Sequence, residues 1–230
     1  MRSFLFALLL ASLVLCEPAP LEVEGSGTYF PGYNSSYSIS PSGGFEGRFD
    51  LSAVSQSQAW AGFYGNISSL IVLKDLSGDG FFEWSEPVLS GQVFASTSSS
   101  PDWSSLGADV SAVSVDSLWG FGSWADNASS SFVSDSNTEF EVGSNAGPVT
   151  IAAGTRNSLN TSSTGAGVFE EVLLADSFPV SSKENLVFAC LVNGLQESFK
   201  GGSAHFQMIL PNNQVNASSL DTYYFYAQIE

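Results

Sequence analysis

In the segment Asn185-Leu-Val-Phe-Ala-Cys-Leu-Val192, the polar residue Asn185 is followed by an unbroken apolar run of seven residues. A run of this length, rich in β-branched and aromatic side chains, is typical of a fully buried strand. The same pattern predicts that Cys190 is a packed thiol rather than a nucleophile or a metal ligand. The segment therefore predicts a sizeable sheet whose core holds the domain together.

Strand-like segments recur along the chain, and each is bounded by clusters of Gly, Ser, Asn or Pro. The clearest is Tyr223-Tyr-Phe-Tyr-Ala-Gln-Ile-Glu230, in which apolar side chains alternate. The predicted strands span residues 48–54, 70–74, 81–84, 92–95, 138–142, 149–153, 168–174, 186–192, 205–210 and 222–229.

Helix signals are confined to residues 109–118 and 126–133, where Ser and Asn would cap short helices. No internal repeat is visible. Short strands at irregular spacing predict a mainly β fold, a two-sheet β-sandwich of the jelly-roll or Ig-like kind, with one or two short helices in its central crossover. We expect residues 17–230 to form this single domain.

Residues 1–16 have the composition of a secretory signal peptide. Arg2 is followed by an almost unbroken apolar run from Phe4 to Leu15, and then by Cys16-Glu-Pro-Ala-Pro20. This order of charged, apolar and breaking zones predicts export, and hence an extracellular or cell-surface location. The run is shorter than the ~20 residues of a membrane span, so no transmembrane segment is expected after the leader is removed.

The fate of Cys16 has three alternatives. Cleavage after Cys16, with Val14 two positions earlier, satisfies the preference for small residues and starts the mature chain at Glu17. Lipidation of Cys16 is the second alternative, although Leu15 replaces the small residue expected before it. An uncut anchor is the third. Loss of Cys16 would leave Cys190 as the only thiol, so that no internal disulfide would form.

Charge and composition narrow the classes of partner. The chain has six Lys and Arg against 23 Asp and Glu, a formal net charge of −17, which argues against nucleic acids and anionic membrane surfaces. Hydrophobic residues make up 43% of the chain, enough for a large core. Sequons of the form Asn-X-Ser/Thr predict surface glycosylation, at Asn34, Asn66, Asn127, Asn160 and Asn216.

The sharpest local motif is Asp75-Leu-Ser-Gly-Asp-Gly-Phe-Phe-Glu-Trp-Ser-Glu86, which matches the EF-hand type of calcium loop. Strand-like flanks and Pro87 disagree with a helix-loop-helix unit, and a plain hairpin turn of the same composition is the alternative. Calcium is the cofactor that the motif suggests. Its oxygen ligands would be Asp75, Ser77, Asp79, Glu83 and Glu86.

Signals of catalysis are weak. Glu139 with Glu141, and Glu170 with Glu171, are carboxylate pairs without the surroundings that raise a carboxyl pKa. His205 has no Cys or second His near it in the sequence, which argues against a zinc site or a Ser-His triad. The sequence therefore predicts no catalytic residue and no enzyme.

Tryptophans supply the basis of an alternative function, because aromatic faces stack on sugar rings. Trp60 and Trp84 are expected in the core. Trp103, Trp119 and Trp124 lie in Gly-rich and Ser-rich surroundings, where an exposed patch and packing under a loop are the two alternatives. An exposed patch would indicate a secreted glycan-binding module.

A resemblance is carried by the segment Trp60-Ala-Gly-Phe-Tyr-Gly-Asn66 and by a Tyr-rich final strand. Further matching segments lie at residues 71–75, 169–174, 206–211 and 223–226. Together they resemble a group of uncharacterised exported archaeal β-rich surface proteins that share a Trp-x-Gly-Phe-Tyr-Gly-Asn segment. The resemblance spans residues 59–230 and implies an archaeal surface setting, but no activity, cofactor or site residue.

The segment Leu21-Glu-Val-Glu-Gly-Ser-Gly-Thr-Tyr-Phe30 alternates so that Leu21, Val23 and Tyr29 share one face. Such an extended strand would complete the sheet of a neighbour, or pair within its own domain. The sequence thus predicts a structural or adhesive surface protein, a filament or envelope subunit that associates with itself or with other envelope proteins. A glycan-binding module is the alternative, and a secreted hydrolase the third reading.

Overall fold

The computed structural model describes residues 19–20, 35–39, 46–55, 57, 59–74, 80–87, 90–155, 157–161, 169–199, 201–212 and 221–229. The predicted signal peptide, residues 1–16, and the predicted strand at residues 21–30 lie outside these ranges. The strands are β1 (Ala19–Pro20), β2 (Ser35–Ile39), β3 (Glu46–Ser55), β4 (Trp60–Lys74), β5 (Gly80–Pro87), β6 (Ser90–Ser96), β7 (Phe140–Val142), β8 (Val149–Ile151), β9 (Ser158–Thr161), β10 (Phe169–Ala175), β11 (Leu186–Asn193), β12 (Gln196–Glu197), β13 (Ser203–Ala204), β14 (Phe206–Pro211) and β15 (Tyr224–Ile229).

Two antiparallel sheets dominate the fold. Sheet A has the strand order β1-β15-β6-β11-β10-β9. Sheet B has the order β14-β4-β3-β2, and β5 also pairs with β4. The apolar run that begins at Leu186 forms β11, one of the inner strands of sheet A, and it is buried on both faces.

Strand β4 is fifteen residues long and organises sheet B. Its first part pairs with β14 and its second part with β5, while β3 pairs with β4 from Ala61 to Leu70. The sequence predicted only the part at residues 70–74. Gly62 and Gly65 weaken the strand signal of the first part, because glycine is depleted in strands.

The main core lies between the two sheets. Sheet A contributes Phe169, Leu173 and Phe188, and sheet B contributes Trp60 and Phe206. The predicted mainly β, sandwich-like fold is therefore confirmed.

A third layer covers the other face of sheet A, which the sequence did not predict. The β7–β8 hairpin and a 3-10 turn at Trp103–Ser105 pack there against Phe94, Val172 and Val187. Strands inside an antiparallel sheet usually alternate between apolar and polar residues, because one face is solvated. The continuous apolar run of β11 has its physical reason in this double coverage.

Two helices lie between β6 and β7, close to the predicted positions. Helix α1 (Ala112–Trp119) ends at Gly120, whose positive φ of 75° gives the left-handed cap that glycine adopts without strain. Helix α2 (Ala128–Ser131) begins after Asn127, whose side chain accepts a hydrogen bond from Ser130 N–H. None of the helices in the described ranges is long and apolar enough to cross a membrane.

Candidate functional site

The predicted calcium loop falls mostly outside the described residues, since Asp75, Ser77 and Asp79 are not among them. Strands β4 and β5 pair antiparallel up to Lys74 and Gly80, so the flanks of the motif are strands, as predicted, and not helices. Glu83 and Glu86 lie within β5, opposite Val72 and Ser69. Glu86 lies six positions after Gly80 along an extended strand, a distance of about 20 Å. Calcium binding by the loop's own oxygens stays a prediction.

No cluster of three or more His, Cys, Asp and Glu side chains occurs in the part of the chain that the structure describes. His205 has a structural partner: its Nδ1 accepts a hydrogen bond from Ile67 N–H at 3.1 Å. Burial lowers the pKa of this imidazole. The neutral form, which can accept through Nδ1, is therefore favoured.

Two of the described carboxylates border the same cavity. A cavity of about 260 Å³ is lined by Glu139 and Glu170 among other residues. Both oxygens of Glu170 accept hydrogen bonds from Thr138, one from its backbone N–H at 2.6 Å and one from its hydroxyl at 3.0 Å. Glu170 thus fastens the start of the β7–β8 hairpin to sheet A.

Glu171 corrects the sequence prediction that neither carboxylate pair is in surroundings that raise a pKa. Its side chain is fully buried, and desolvation raises its pKa well above the ordinary value. One oxygen, Oε2, accepts a hydrogen bond from Ile209 N–H of β14 at 2.9 Å. The other, Oε1, has no hydrogen-bond partner among the described residues. A sequence signal was present, because Glu171 alternates with Phe169 and Leu173, which both face the core.

Cys190 is a buried free thiol, as predicted. It lies directly opposite Glu171 in the pairing of β10 with β11. Its S–H donates to the backbone carbonyl of Gln207 at 3.2 Å. Burial raises the pKa of the thiol, and the charge of Glu171 adds to the rise, so the group is unreactive at neutral pH.

Glu171 and Cys190 form hydrogen bonds with backbone groups of β14, at the edge of sheet B. Strand β14 is the outer strand beside the first part of β4, so one row of its backbone groups faces away from β4. Gln207 and Ile209 belong to that row, because alternate residues of a strand direct their backbone groups to the same side. Sheet A supplies an acceptor for one N–H and a donor for one carbonyl.

The tryptophans whose side chains are described pack against neighbouring residues rather than form an exposed platform. Trp103 and Trp119 are each 5% exposed, and Trp60 is 3% exposed. Trp103 contacts Phe94 and Tyr226, while Trp119 donates to Asp221, which also pairs with Lys183. Trp124 is partly buried and stacks on Phe121 with ring centroids 4.9 Å apart. Packing under a loop is thus confirmed for Trp103 and Trp119, whereas the side chain of Trp84 is not among those described.

The described sequons differ in their surroundings. Asn66 lies in β4 opposite Asp50 of β3, and its Oδ1 atom is buried. Asn127 caps α2 and borders an open depression of about 450 Å³. Asn160 is exposed in β9. Asn34 and Asn216 lie outside the described residues.

The edge formed by β15 is the candidate functional site. Strand β15 pairs with β6 from Tyr224 to Ile229. On its other side, within the described residues, Ala19 pairs with Ala227 and Pro20 with Tyr226. Comparisons of the chain with protein-family models, curated proteins and solved structures found no match.

Proposed function

We propose that this chain is an exported, glycosylated structural protein of the cell surface whose copies assemble by strand addition at the β15 edge. The observation that supports the proposal is the two-residue strand β1, which pairs with two of the six residues of β15. The remainder of that edge has no backbone partner among the described residues. Edge strands of this kind are templates for another strand.

The register indicates which backbone groups this edge offers. Because Pro20 has no N–H, the pair with two hydrogen bonds is Ala19 with Ala227. Alternation then directs the N–H and C=O groups of Phe225 and Ile229 to the same side. Tyr224, at the start of the strand, is 42% exposed. An incoming antiparallel strand would gain these hydrogen bonds and cover an aromatic side chain.

The donor in this proposal is the N-terminal segment of a second copy. Residues 21–30 alternate with Leu21, Val23 and Tyr29 on one face, which suits a strand that is covered on one side. The same pairing made within a chain is available between chains, and such exchange is a low-cost route to assembly. The acidic surface and the apolar leader are consistent with an exported subunit.

Cysteine cross-linking at the β1–β15 pair tests the proposal. Opposite residues of a hydrogen-bonded antiparallel pair have Cα atoms about 5.5 Å apart, within the range of a disulfide. Chains carrying Ala19→Cys and chains carrying Ala227→Cys would be mixed under assembly conditions, both with Cys16→Ser. We expect a disulfide-linked heterodimer on non-reducing gels, since Cys190 is buried and unreactive.

The first control is each single variant alone. The second is a mixture of Ala19→Cys with Ala153→Cys, because Ala153 lies in the exposed turn after β8, away from the β1–β15 pair. These controls should stay monomeric on the gel. If the double variant Ala19→Cys/Ala227→Cys closes its disulfide within one chain and the mixed single variants never cross-link, strand addition is wrong. If the mixed single variants do cross-link, electron microscopy of the exported protein should show polymers.

A further inference from the structure

The opposite edge of sheet A is formed by β9, which is unlike the β15 edge. Ser158 of β9 forms two backbone hydrogen bonds with Ser134, at 3.0 and 3.1 Å, on the side away from β10. Asn157, its neighbour, accepts instead from Leu173 N–H on the β10 side. The backbone groups of this strand therefore alternate between the edge and the sheet.

This alternation fixes the direction of the Asn160 backbone. Asn160 lies two residues beyond Ser158 and opposite Glu170 of β10, so its N–H and C=O point to the outer edge. Within the described ranges, no backbone group pairs with them there. Among the described residues, Asn160 is thus the point at which the β9 edge lacks a backbone partner, and unpaired edges of this kind lead to unwanted edge-to-edge pairing.

The residue at the open point carries a sequon, Asn160-Thr161-Ser162. Its side chain is exposed, and its Nδ2 donates to Ser136 Oγ at 3.2 Å. Asn66 contrasts with it, because its Oδ1 is buried inside sheet B. Asn127 contrasts too, because its Oδ1 holds the first turn of α2. Exposure, edge position and sequon coincide at Asn160 alone among the described sequons.

We propose that Asn160 is glycosylated and that its glycan closes the β9 edge to strand pairing. The donor would be a lipid-linked glycosyl phosphate or diphosphate. The bond between sugar C1 and the phosphate oxygen breaks, a bond between C1 and Asn160 Nδ2 forms, and one Nδ2 proton leaves on the released phosphate. One N–H remains on Nδ2, which is enough to keep the bond to Ser136. The bulky, hydrated glycan then occupies the space that an added strand would need.

The inference rests on the proposed function, because it presumes export and an assembly that uses one edge of sheet A. It assigns opposite roles to the two edges of the sheet. The β15 edge receives a strand, and the β9 edge is blocked by a sugar. A chain with both edges open would pair at either end, whereas a chain with one open edge adds a neighbour in a single orientation.

The test uses Asn160→Gln and Ser162→Ala, which both remove the sequon, in the full chain secreted by a host that N-glycosylates exported proteins. The background carries Cys16→Ser and Ala19→Cys/Ala227→Cys with the disulfide closed within the chain, so that exchange at β15 is blocked. Mass spectrometry of the peptide containing Asn160 gives glycan occupancy, and analytical ultracentrifugation gives self-association. Asn34→Gln is the control for loss of a glycan elsewhere.

We expect the peptide to carry a glycan in the parent chain and to lose it in both sequon variants. Both variants should also self-associate at least tenfold more tightly than the parent and the Asn34→Gln control. An unmodified peptide in the parent overturns the proposal. So does loss of the glycan without a change in association, or association of Asn160→Gln but not of Ser162→Ala. Because β15 is locked in this background, none of these results depends on the mixed cross-linking experiment that tests the proposed function.

Discussion

The two faces of sheet A are both buried, yet they are built from different chemistry. Toward sheet B the inner strands present Phe188 and Leu173 together with two polar groups, Glu171 and Cys190. Toward the β7–β8 hairpin the same strands present apolar side chains such as Val172 and Val187. A buried polar side chain on this face is neutral: Gln228 of β15 accepts from Gly143 N–H and donates to the Glu141 carbonyl.

The difference follows from what covers each face. The hairpin and the 3-10 turn cover one face with side chains such as Trp103 and Phe140, and the neutral amide of Gln228 satisfies two backbone groups of the hairpin. Strand β14 covers part of the other face with backbone groups at its outer edge, and Glu171 and Cys190 satisfy them. Buried polar residues are expected wherever backbone groups would otherwise lose their hydrogen bonds. The outer backbone row of β14 therefore accounts for Cys190 and for one oxygen of Glu171, whereas Glu171 Oε1 has no hydrogen-bond partner among the described residues.

The largest expected effect comes from removing an apolar anchor of the sheet B face. Phe188 is almost completely buried and contacts Phe132. Phe188→Ala should lower the free energy of unfolding by about 3–5 kcal/mol, because it removes a large side chain and leaves a cavity. Urea unfolding followed by tryptophan fluorescence measures the change. Val187→Ala, on the opposite face of the same strand, is the matched control and should cost about 2 kcal/mol.

Equal losses for the two variants would mean that the third layer contributes as much to the core as sheet B does. The two faces would then differ in their buried polar groups but not in their apolar anchors.

The next effect concerns the polar groups themselves, through the pH dependence of stability. Burial raises the pKa of Glu171 in the folded state, so the folded protein holds a proton that the unfolded chain releases near pH 4.3. Stability from this group is fully present below that pH and is lost as pH rises toward the folded pKa. Between the two pKa values, unfolding free energy should fall by up to about 1.4 kcal/mol per pH unit.

Glu171→Gln isolates this effect, because its amide oxygen can still accept from Ile209 N–H while the group no longer titrates. Urea unfolding at several pH values between 4 and 8 should give a flatter profile for Glu171→Gln than for the parent. Glu170→Gln, one residue away on the other face of β10, should retain the slope of the parent. Parallel profiles for the parent and Glu171→Gln would show that Glu171 is not held protonated by the fold.

The sequence predicted most of sheet A because its strands carry strong local signals. The run from Leu186 to Val192 and the alternation from Tyr223 onward both lie in strands of that sheet. The first part of β4 could not be predicted with equal ease, because Ala61, Gly62 and Gly65 have little strand preference and are held by pairing with β3 and β14. Long-range pairing, rather than local preference, decides such a segment.

The candidate site was predicted only in outline. The pattern of residues 21–30 indicated strand addition, but the β15 edge became identifiable once the order of sheet A was known. The role of Glu171 required the position of β14, since its hydrogen-bond partner, Ile209, lies 38 residues away in the sequence. Ser158 and Asn160 likewise carried no sign that they lie at the outer edge of a sheet. Edges are properties of topology, which the local composition of a strand does not encode.

The smallest expected effect is on the face toward the hairpin, at the hydroxyl of Tyr226. Tyr226 packs its ring against Trp103 with centroids 5.0 Å apart, and its hydroxyl donates to the Ser98 carbonyl at 3.0 Å. Tyr226→Phe keeps the ring and removes this hydrogen bond, so the free energy of unfolding should fall by about 1 kcal/mol. Tyr224→Phe, at an exposed ring of the same strand, should change it less.

Burial raises the pKa of Tyr226 to about 12, so in the parent the contribution of the hydroxyl should persist at pH 10 and be lost as pH rises toward 12. Burial also raises the pKa of Tyr223, so more than one tyrosine titrates late. Absorbance near 295 nm, which reports tyrosinate, should therefore show one fewer late-titrating group in Tyr226→Phe than in the parent, and no such loss in Tyr224→Phe. If Tyr226→Phe is as stable as the parent and keeps every late-titrating group, the hydroxyl contributes nothing to stability and Tyr226 is not one of those groups.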